Sequence, residues 1–406
     1  MRPEVPHSHD GKETDEPRIM LSLSREEAQQ RAAELMERFA ERTGLTSARP
    51  PQRYLWTDAF AVCNYLGLAR ATGQAHYTQL ALQLVDSVHH VLGRYRTDDV
   101  RAGWLGGLGE QEGESHPTRG GLRIGKPLRE RGPGEPYDDA LEWDRDGQYF
   151  HYLTRWMHAL DQVSRATGER RFNQWSRELA QVAHAAFVAP DGRRMAWKMS
   201  TDLSRPLVPS MGQHDPLDGL ITCVQLEATA ARFSPTPDGP SLKEAIAGFS
   251  VMVEAQELWT ADPLGLGGLL TDAWRLGQLT TRGAFKDLKL LERLLEASQE
   301  GLREFSAAEP GWQPASRRLA FRELGLAIGL SACALLQGHV REEGLGGLAS
   351  PALRAHLARL EQYVPLGPAL VSFWLAPEHQ KVRTWTEHRD INEVMLATSL
   401  LPEGFF

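Results

Sequence analysis

Carboxylates gather at two places in this 406-residue chain. Glu142, Asp144 and Asp146 stand in EWDRDGQYFHY (residues 142–152), and Asp215 and Asp218 in GQHDPLDG (residues 212–219). Two carboxyl groups in unlike surroundings divide the work of acid and base: one keeps its proton near neutral pH and donates it, the other stays ionised. If the first stretch is helical, Asp144 and Asp146 point to nearly opposite faces, so only one of them can serve, while Glu142 and Asp146 share a face. A plainer account exists for each group. Asp215-Pro-Leu-Asp218 is a complete helix start, with a capping aspartate, a proline in the first turn and an acid at the positive end of the helix dipole. Asp390-Ile-Asn-Glu393 has the same form, Thr57 with Asp58 fits a cap and its dipole partner, and an ion pair through Arg145 accounts for a solvated EWDRDGQYF.

Histidines form a second constellation. His214 and His388 each stand just before a segment that reads as a buried helix, and an imidazole both takes and returns protons near neutral pH. A structural histidine is the alternative for each. Arg119, Arg123, Lys126, Arg129 and Arg131 could meet an anionic substrate or simply be a solvated run. Arg322 enters a later helix beside Glu323 and can pair with carboxylates at a site; Arg389 follows His388 in WTEHRDINE (residues 385–393). GWLGGLGE around Trp104 leads no strand into a helix and is no dinucleotide loop. Cys63, Cys223 and Cys333 lie in apolar contexts without C-x-x-C spacing and read as core residues. No metal site and no organic cofactor are expected.

What positions these groups is a repeat. RATGQAHY (residues 70–77) recurs as RATGERRF (165–172) and, more faintly, as EATAARF (227–233). Each copy reads as helix, small turn, amphipathic helix, the mark of a helical array or ring. Aligning the first and third copies sets Asp58 opposite Asp215. About twelve helices fit the pattern. The first, residues 24–44, opens on a Ser24–Glu27 capping box. Tyr77, Leu80, Ala81, Leu84, Val85, Val88, Val91 and Leu92 make one stripe at helical spacing. Further helices are expected from about Thr57 to Gly73, Asp146 to Thr167, and from Asp215–Pro216 and Ser241 onward. Residues 268–278, 285–305, 316–337, 351–363 and 391–401 complete the set, and residues 193–212 read as a small β excursion. Every second helix, FRELGLAIGLSACALLQG (321–338) above all, is apolar nearly all round and therefore buried. Buried and half-exposed helices in alternation describe a closed ring of six hairpins. The long connections 96–143, 190–213 and 365–388 lead into the buried helices and gather on one face, where function usually sits.

LWTDAFAVCNYLGLARATGQAHY (residues 55–77) and WDRDGQYFHYLTRWMHALDQVSRATGERRF (143–172) resemble the hairpins of the six-hairpin glycosidase superfamily, all-α (α/α)6 toroids, and are similar to the N-acylglucosamine 2-epimerase group. The resemblance runs over residues 24–406 as helix order and repeat. It implies one barrel domain over residues 21–406 behind a mobile tail (1–20), and a carbohydrate substrate at the mouth, where the inner helices begin. In the hydrolase reading, Asp144 or Asp146 is the acid or base and Asp215 or Asp218 the opposing carboxylate. Trp56, Asp58, Trp143, Tyr149, His214, Arg322, Trp385, His388 and Arg389 would hold the sugar. The epimerase group implies proton transfer by His214 and His388 instead. A non-catalytic helical binding scaffold is the third reading.

Composition narrows the field. A net charge of -8 offers no general attraction to nucleic acid or an anionic membrane. The apolar runs read as too short to span a bilayer. Three cysteines are too few for a disulfide scaffold, and residues 1–19 lack an apolar leader, so a cytoplasmic location is expected. Eleven tryptophans is a high count; tryptophan fills cores, and it also lines sugar sites, where its flat face stacks on C–H groups. The oligomeric state stays open, a homo-oligomer included.

Overall fold

The repeated threonine–glycine pair makes the same turn twice. Thr72 Oγ1 donates to the Leu68 carbonyl (2.7 Å) and accepts the N–H of Gln74 (3.2 Å). Thr167 does the same with Val163 (2.8 Å) and Glu169 (3.2 Å). The next residue, Gly73 or Gly168, adopts φ of 71° or 77°, a left-handed conformation that glycine alone takes without strain. The computed structural model describes residues 23–308, 313–344 and 349–406; the expected tail, residues 1–20, lies outside them.

Five inner–outer pairs follow one another along the chain. They are α2 (Leu55–Thr72) with α3 (Ala75–Leu92), α6 (Phe150–Thr167) with α7 (Arg170–Phe187), α8 (Asp215–Phe233) with α9 (Lys243–Glu254), α10 (Pro263–Thr281) with α11 (Leu288–Ala307), and α12 (Ala320–Glu343) with α13 (Pro351–Leu360). The sixth joins the two ends of the chain: α16 (Arg389–Leu400) packs on α1 (Arg25–Arg42). The inner helices α2, α6, α8, α10, α12 and α16 each pack on the next, and α16 packs back on α2, which closes the ring. The short helices α4 (Glu110–Ser115), α5 (Asp139–Asp144) and α15 (Arg383–Thr386) lie in connections. The chain is thus an (α/α)6 toroid. The capping box of α1 is formed, with Ser24 and Glu27 each bonding the other's backbone N–H.

Burial follows the expected alternation. On α2 every residue from Leu55 to Leu68 is buried, whereas α3 buries one face through Tyr77, Ala81, Leu84, Val85 and Val88. The tightest inner seam joins α10 to α12. A Cβ on Gly267 would collide with the Gly325 carbonyl oxygen and one on Gly329 with the Gly267 carbonyl oxygen, so these backbones touch only because Gly267 and Gly329 lack side chains.

Four expectations need correcting. The third repeat copy makes no turn: Ala228 and Thr229 lie inside α8, because no glycine stands there to leave the helix, and Thr229 Oγ1 instead bonds Asp161 (3.1 Å). Counted from the helix starts, Asp58 therefore matches Asp218 rather than Asp215. The helix expected from Asp146 begins only at Phe150; Gln148–Tyr149 form β1, which pairs antiparallel with β2 (Lys198–Met199), itself paired with β3 (Pro206–Val208). Residues 365–388 are not all connection, since α14 (Leu366–Leu375) packs on α12 and α16. Finally, α12 is long and apolar enough to cross a membrane by length and composition, yet 72% of that stretch is buried inside the ring.

Candidate active site

The inner helices run with their first turns toward one mouth, and all six contribute to a central cavity of about 280 Å³. Its acidic wall comes from α8 and α10. Asp215, the first residue of α8, is buried; one carboxylate oxygen, Oδ2, has no hydrogen-bond partner. Burial, then the neighbouring Asp218 charge, pushes its pKa up to about 8. Asp218 lies one turn on. Burial would raise it too, but the Arg155 guanidinium (Nη2 to Oδ1 3.1 Å), a hydrogen bond from Asp272 and the charge of Arg275 hold it below the usual carboxylate range. Asp272 on α10 is pushed up to about 7 by burial and by Asp218. The wall therefore sets Asp218, which favours its charged form, beside Asp215 and Asp272, which hold their protons more tightly than ordinary carboxyls, the divergence that assigns acid and base.

Two histidines share the cavity. His214, the N-cap residue of α8, bonds the Leu258 carbonyl through Nε2 (2.8 Å), and burial keeps it below its ordinary pKa. His151 in the first turn of α6 is lowered by burial to about 4. Both are neutral at pH 7. Trp56 and Trp197 supply aromatic faces, and Phe405 closes the floor, stacked on Phe60 at 4.5 Å.

The remaining sequence-nominated residues divide three ways. Asp58, Asp144, His388 and Arg389 line a second cleft of about 590 Å³ at the rim, between α1, α2 and α16. There Asp58 accepts the Tyr54 N–H (2.9 Å), and burial, opposed by Arg53, raises its pKa to about 6. Trp143 lies exposed near this rim with Lys126 4.8 Å from its ring, and Tyr149 is buried, stacked on Trp197 at 5.0 Å. Arg322 pairs with Asp262, a cavity residue at the N-cap of α10.

Two others are built into the framework. Asp146 does not face the cavity: it is fully buried, paired with Arg123, and accepts the N–H groups of Gly125 (3.0 Å) and Gly147 (3.1 Å). Trp385 is core, stacked on Trp374 at 5.8 Å. Nor are His214 and His388 brought together, since His388 is an exposed rim residue and only His214 lines the central cavity. Glu142, considered beside Asp146, is buried between Lys198 (3.0 Å) and Arg131 (3.0 Å). The three cysteines are buried, and burial pushes their thiols up. Among the described residues no three histidine, cysteine or carboxylate side chains gather to hold a metal ion.

Sequence reasoning passed over Arg155, His151 and Asp272. A usable signal existed. His151 and Arg155 are four apart on an inner helix and so share a face. Asp272 is the one carboxylate in α10, where a buried charge demands a partner, and Arg275 stands three residues on (3.0 Å).

Known proteins bear on the architecture. No family model matches the chain, and no curated protein matches it significantly. A GH76 α-mannanase from Bacteroides thetaiotaomicron superposes with a TM-score of 0.52 at 8% identity, over 94% of this chain and 96% of that one. A sugar epimerase from a ruminal bacterium gives 0.47 at 9% identity over 84% and 87%, and a D-mannose isomerase 0.44 at 11% over 82% and 85%. Identities this low speak of fold alone: the chain shares its overall fold with the α-mannanase.

Proposed function

We propose that this chain is a carbohydrate-active enzyme that hydrolyses a glycosidic bond in its central cavity, with Asp215 as proton donor and Asp218 as the ionised partner. The observation that carries this reading is the opposite titration of two carboxyls one turn apart, both lining one cavity. A pair of carboxyls flanking the scissile bond, one protonated and one not, is what glycoside hydrolysis needs. Residues three apart on a helix have Cβ atoms about 5–6 Å apart, which suits the carboxyl separation of about 5–5.5 Å in retaining enzymes. In that scheme Asp215 gives its proton to the leaving oxygen while Asp218 bonds the anomeric carbon. Water then attacks that carbon, returns a proton to Asp215 and frees Asp218. Arg155 keeps Asp218 ionised, and Trp56 and Trp197 offer faces for the sugar ring.

A second reading has its own observation: His151 and His214 are both neutral in the same cavity and could move a proton at a sugar carbon. One experiment separates the two. The chain is incubated with a panel of oligosaccharides and free sugars in deuterated water. New reducing ends without deuterium at carbon support hydrolysis, and their loss in Asp215→Asn ties it to the cavity. Deuterium at carbon without new reducing ends replaces hydrolysis by epimerisation or isomerisation. Neither product, across the panel, leaves the binding scaffold.

A further inference from the structure

At the end of the ring opposite the mouth, three arginines converge. Arg70 and Arg165 occupy the same place in the two RATG copies, and Arg232 stands at the matching end of α8. All three line a pocket of about 640 Å³ bounded by the last turns of α2, α6 and α8 and by Glu403, Gly404 and Phe406.

The plain purpose of an arginine in a last helical turn is to offset the negative end of the helix dipole by bonding the terminal carbonyls. Arg70 does something of the kind, donating to the Glu403 carbonyl. Arg165 and Arg232 do not: neither makes a hydrogen bond or an ion pair among the described residues. A fourth guanidinium, Arg282, stands close enough that burial and then the charges of Arg165 and Arg232 lower its pKa. The nearby Asp161 is buried and bonded to Asn173 (3.0 Å), Gln225 (2.9 Å) and Thr229 (3.1 Å), and its charge also acts on Arg165 and Arg282; Glu403 is the carboxylate in the lining itself. Against the carboxylates of Asp161 and Glu403 stand four guanidiniums, of which Arg70, Arg232 and Arg282 are exposed, so the pocket presents a positive field to solvent that favours an anion.

We propose that this pocket is a binding site for a small polyanion bearing two or more phosphate groups, held by the planar forks of Arg165 and Arg232 with Arg70 and Arg282 at its margin. Guanidinium forks match phosphate oxygens two at a time. The pocket exceeds what a single phosphate fills, and the site is separate from the central cavity: Phe405 faces that cavity, while its neighbours Gly404 and Phe406 face this one.

The test needs no assumption about the reaction. Pyrophosphate is titrated into the full chain by calorimetry at ionic strength held constant with sodium chloride, and inorganic phosphate serves as the single-group comparison. The expected result is saturable pyrophosphate binding, about tenfold or more tighter than phosphate, and weakened about tenfold or more in the Arg165→Gln/Arg232→Gln double variant. Tight binding of phosphate with no gain for pyrophosphate overturns the polyanion. So does equal pyrophosphate binding by wild type and double variant, or none by wild type at millimolar concentration. If the double variant does not fold, Arg165→Lys/Arg232→Lys keeps the charge and loses the fork. Weakening there supports the site, and unchanged affinity overturns it.

Discussion

Asp215 and Asp218 are a single turn apart, yet their surroundings drive them in opposite directions. Asp215 has burial and a like charge against ionisation; Asp218 has Arg155 in its favour. In the proposed role Asp215 must be protonated, so kcat/KM should fall as pH rises through about 8, where it ionises. Asp215→Asn should lower kcat by about 10²–10⁴-fold, read on the substrate that the panel identifies. The same group marks stability. Its folded pKa of about 8 stands above the ordinary aspartate value of 3.8, so between those pH values the native state holds more protons than the unfolded one. Stability must therefore drop across that window as pH rises. Melting curves from pH 4 to 9 should show Asp215→Asn gaining on wild type with rising pH; parallel curves would remove the buried acid from the account. Arg155→Met should let the Asp218 pKa rise, moving the acid limb of kcat/KM toward neutrality, with Arg155→Lys intermediate. An unmoved limb would mean that Arg155 does not set the charge of Asp218.

Among the helices, the decisive contacts are between backbones, and glycines mark them. A Cβ added to Gly338, within α12, would meet nothing within 4 Å, whereas one on Gly267 would meet the Gly325 carbonyl. Gly338→Ala should thus stabilise by up to about 1 kcal/mol, the helix-propensity gain, while Gly267→Ala should destabilise by about 1–3 kcal/mol through overpacking. Denaturant melts check the pair, and equal effects would mean that the α10–α12 seam is looser than its geometry. These elements also show what one sequence can reveal. The Ser24 cap, the Thr–Gly turns and the stripe on α3 were legible because each is settled within a few residues. The third copy misled because its ATA resembles ATG while lacking the glycine that ends a helix. Residues 146–149 read as helix because what keeps them out of one, the Asp146 network and the pairing of Gln148–Tyr149 with β2, comes from distant chain. Leu366–Leu375 was missed because it is apolar but for Ser372 and carries Pro368 in its first turn, a place where proline is tolerated. The Asp215–Asp218 wall was visible as a pair of acids; its partners Arg155 and Asp272 were not, because they come from other helices.

A ring behaves unlike an open stack. In a solenoid each unit touches only its neighbours, and an end can fray while the rest stands. Here the last inner helix is held to the first helices of the chain. Arg42 of α1 pairs with Asp390 (2.6 Å) and Glu393 (2.7 Å) of α16, the Tyr65 hydroxyl donates to the Met36 carbonyl (3.0 Å), and Asn64 Nδ2 donates to the Val394 carbonyl (3.1 Å). Phe39 is buried in that seam. Phe39→Ala should cost about 3–5 kcal/mol, and the question is where the loss is felt. If closure couples the hairpins, one transition shifts as a whole, and far-UV circular dichroism and tryptophan fluorescence still coincide. Amide exchange in α8 and α10, across the ring from the substitution, should quicken together with that in α1 and α16. A biphasic melt, with α1 and α16 exchanging early while α8 and α10 keep wild-type protection, would mean that the seam is a contact between ends and not a closure. The central cavity draws residues from every inner helix, so its geometry depends on the same closure. In the coupled case, substrate bound there should slow exchange in α1 as well as in α8.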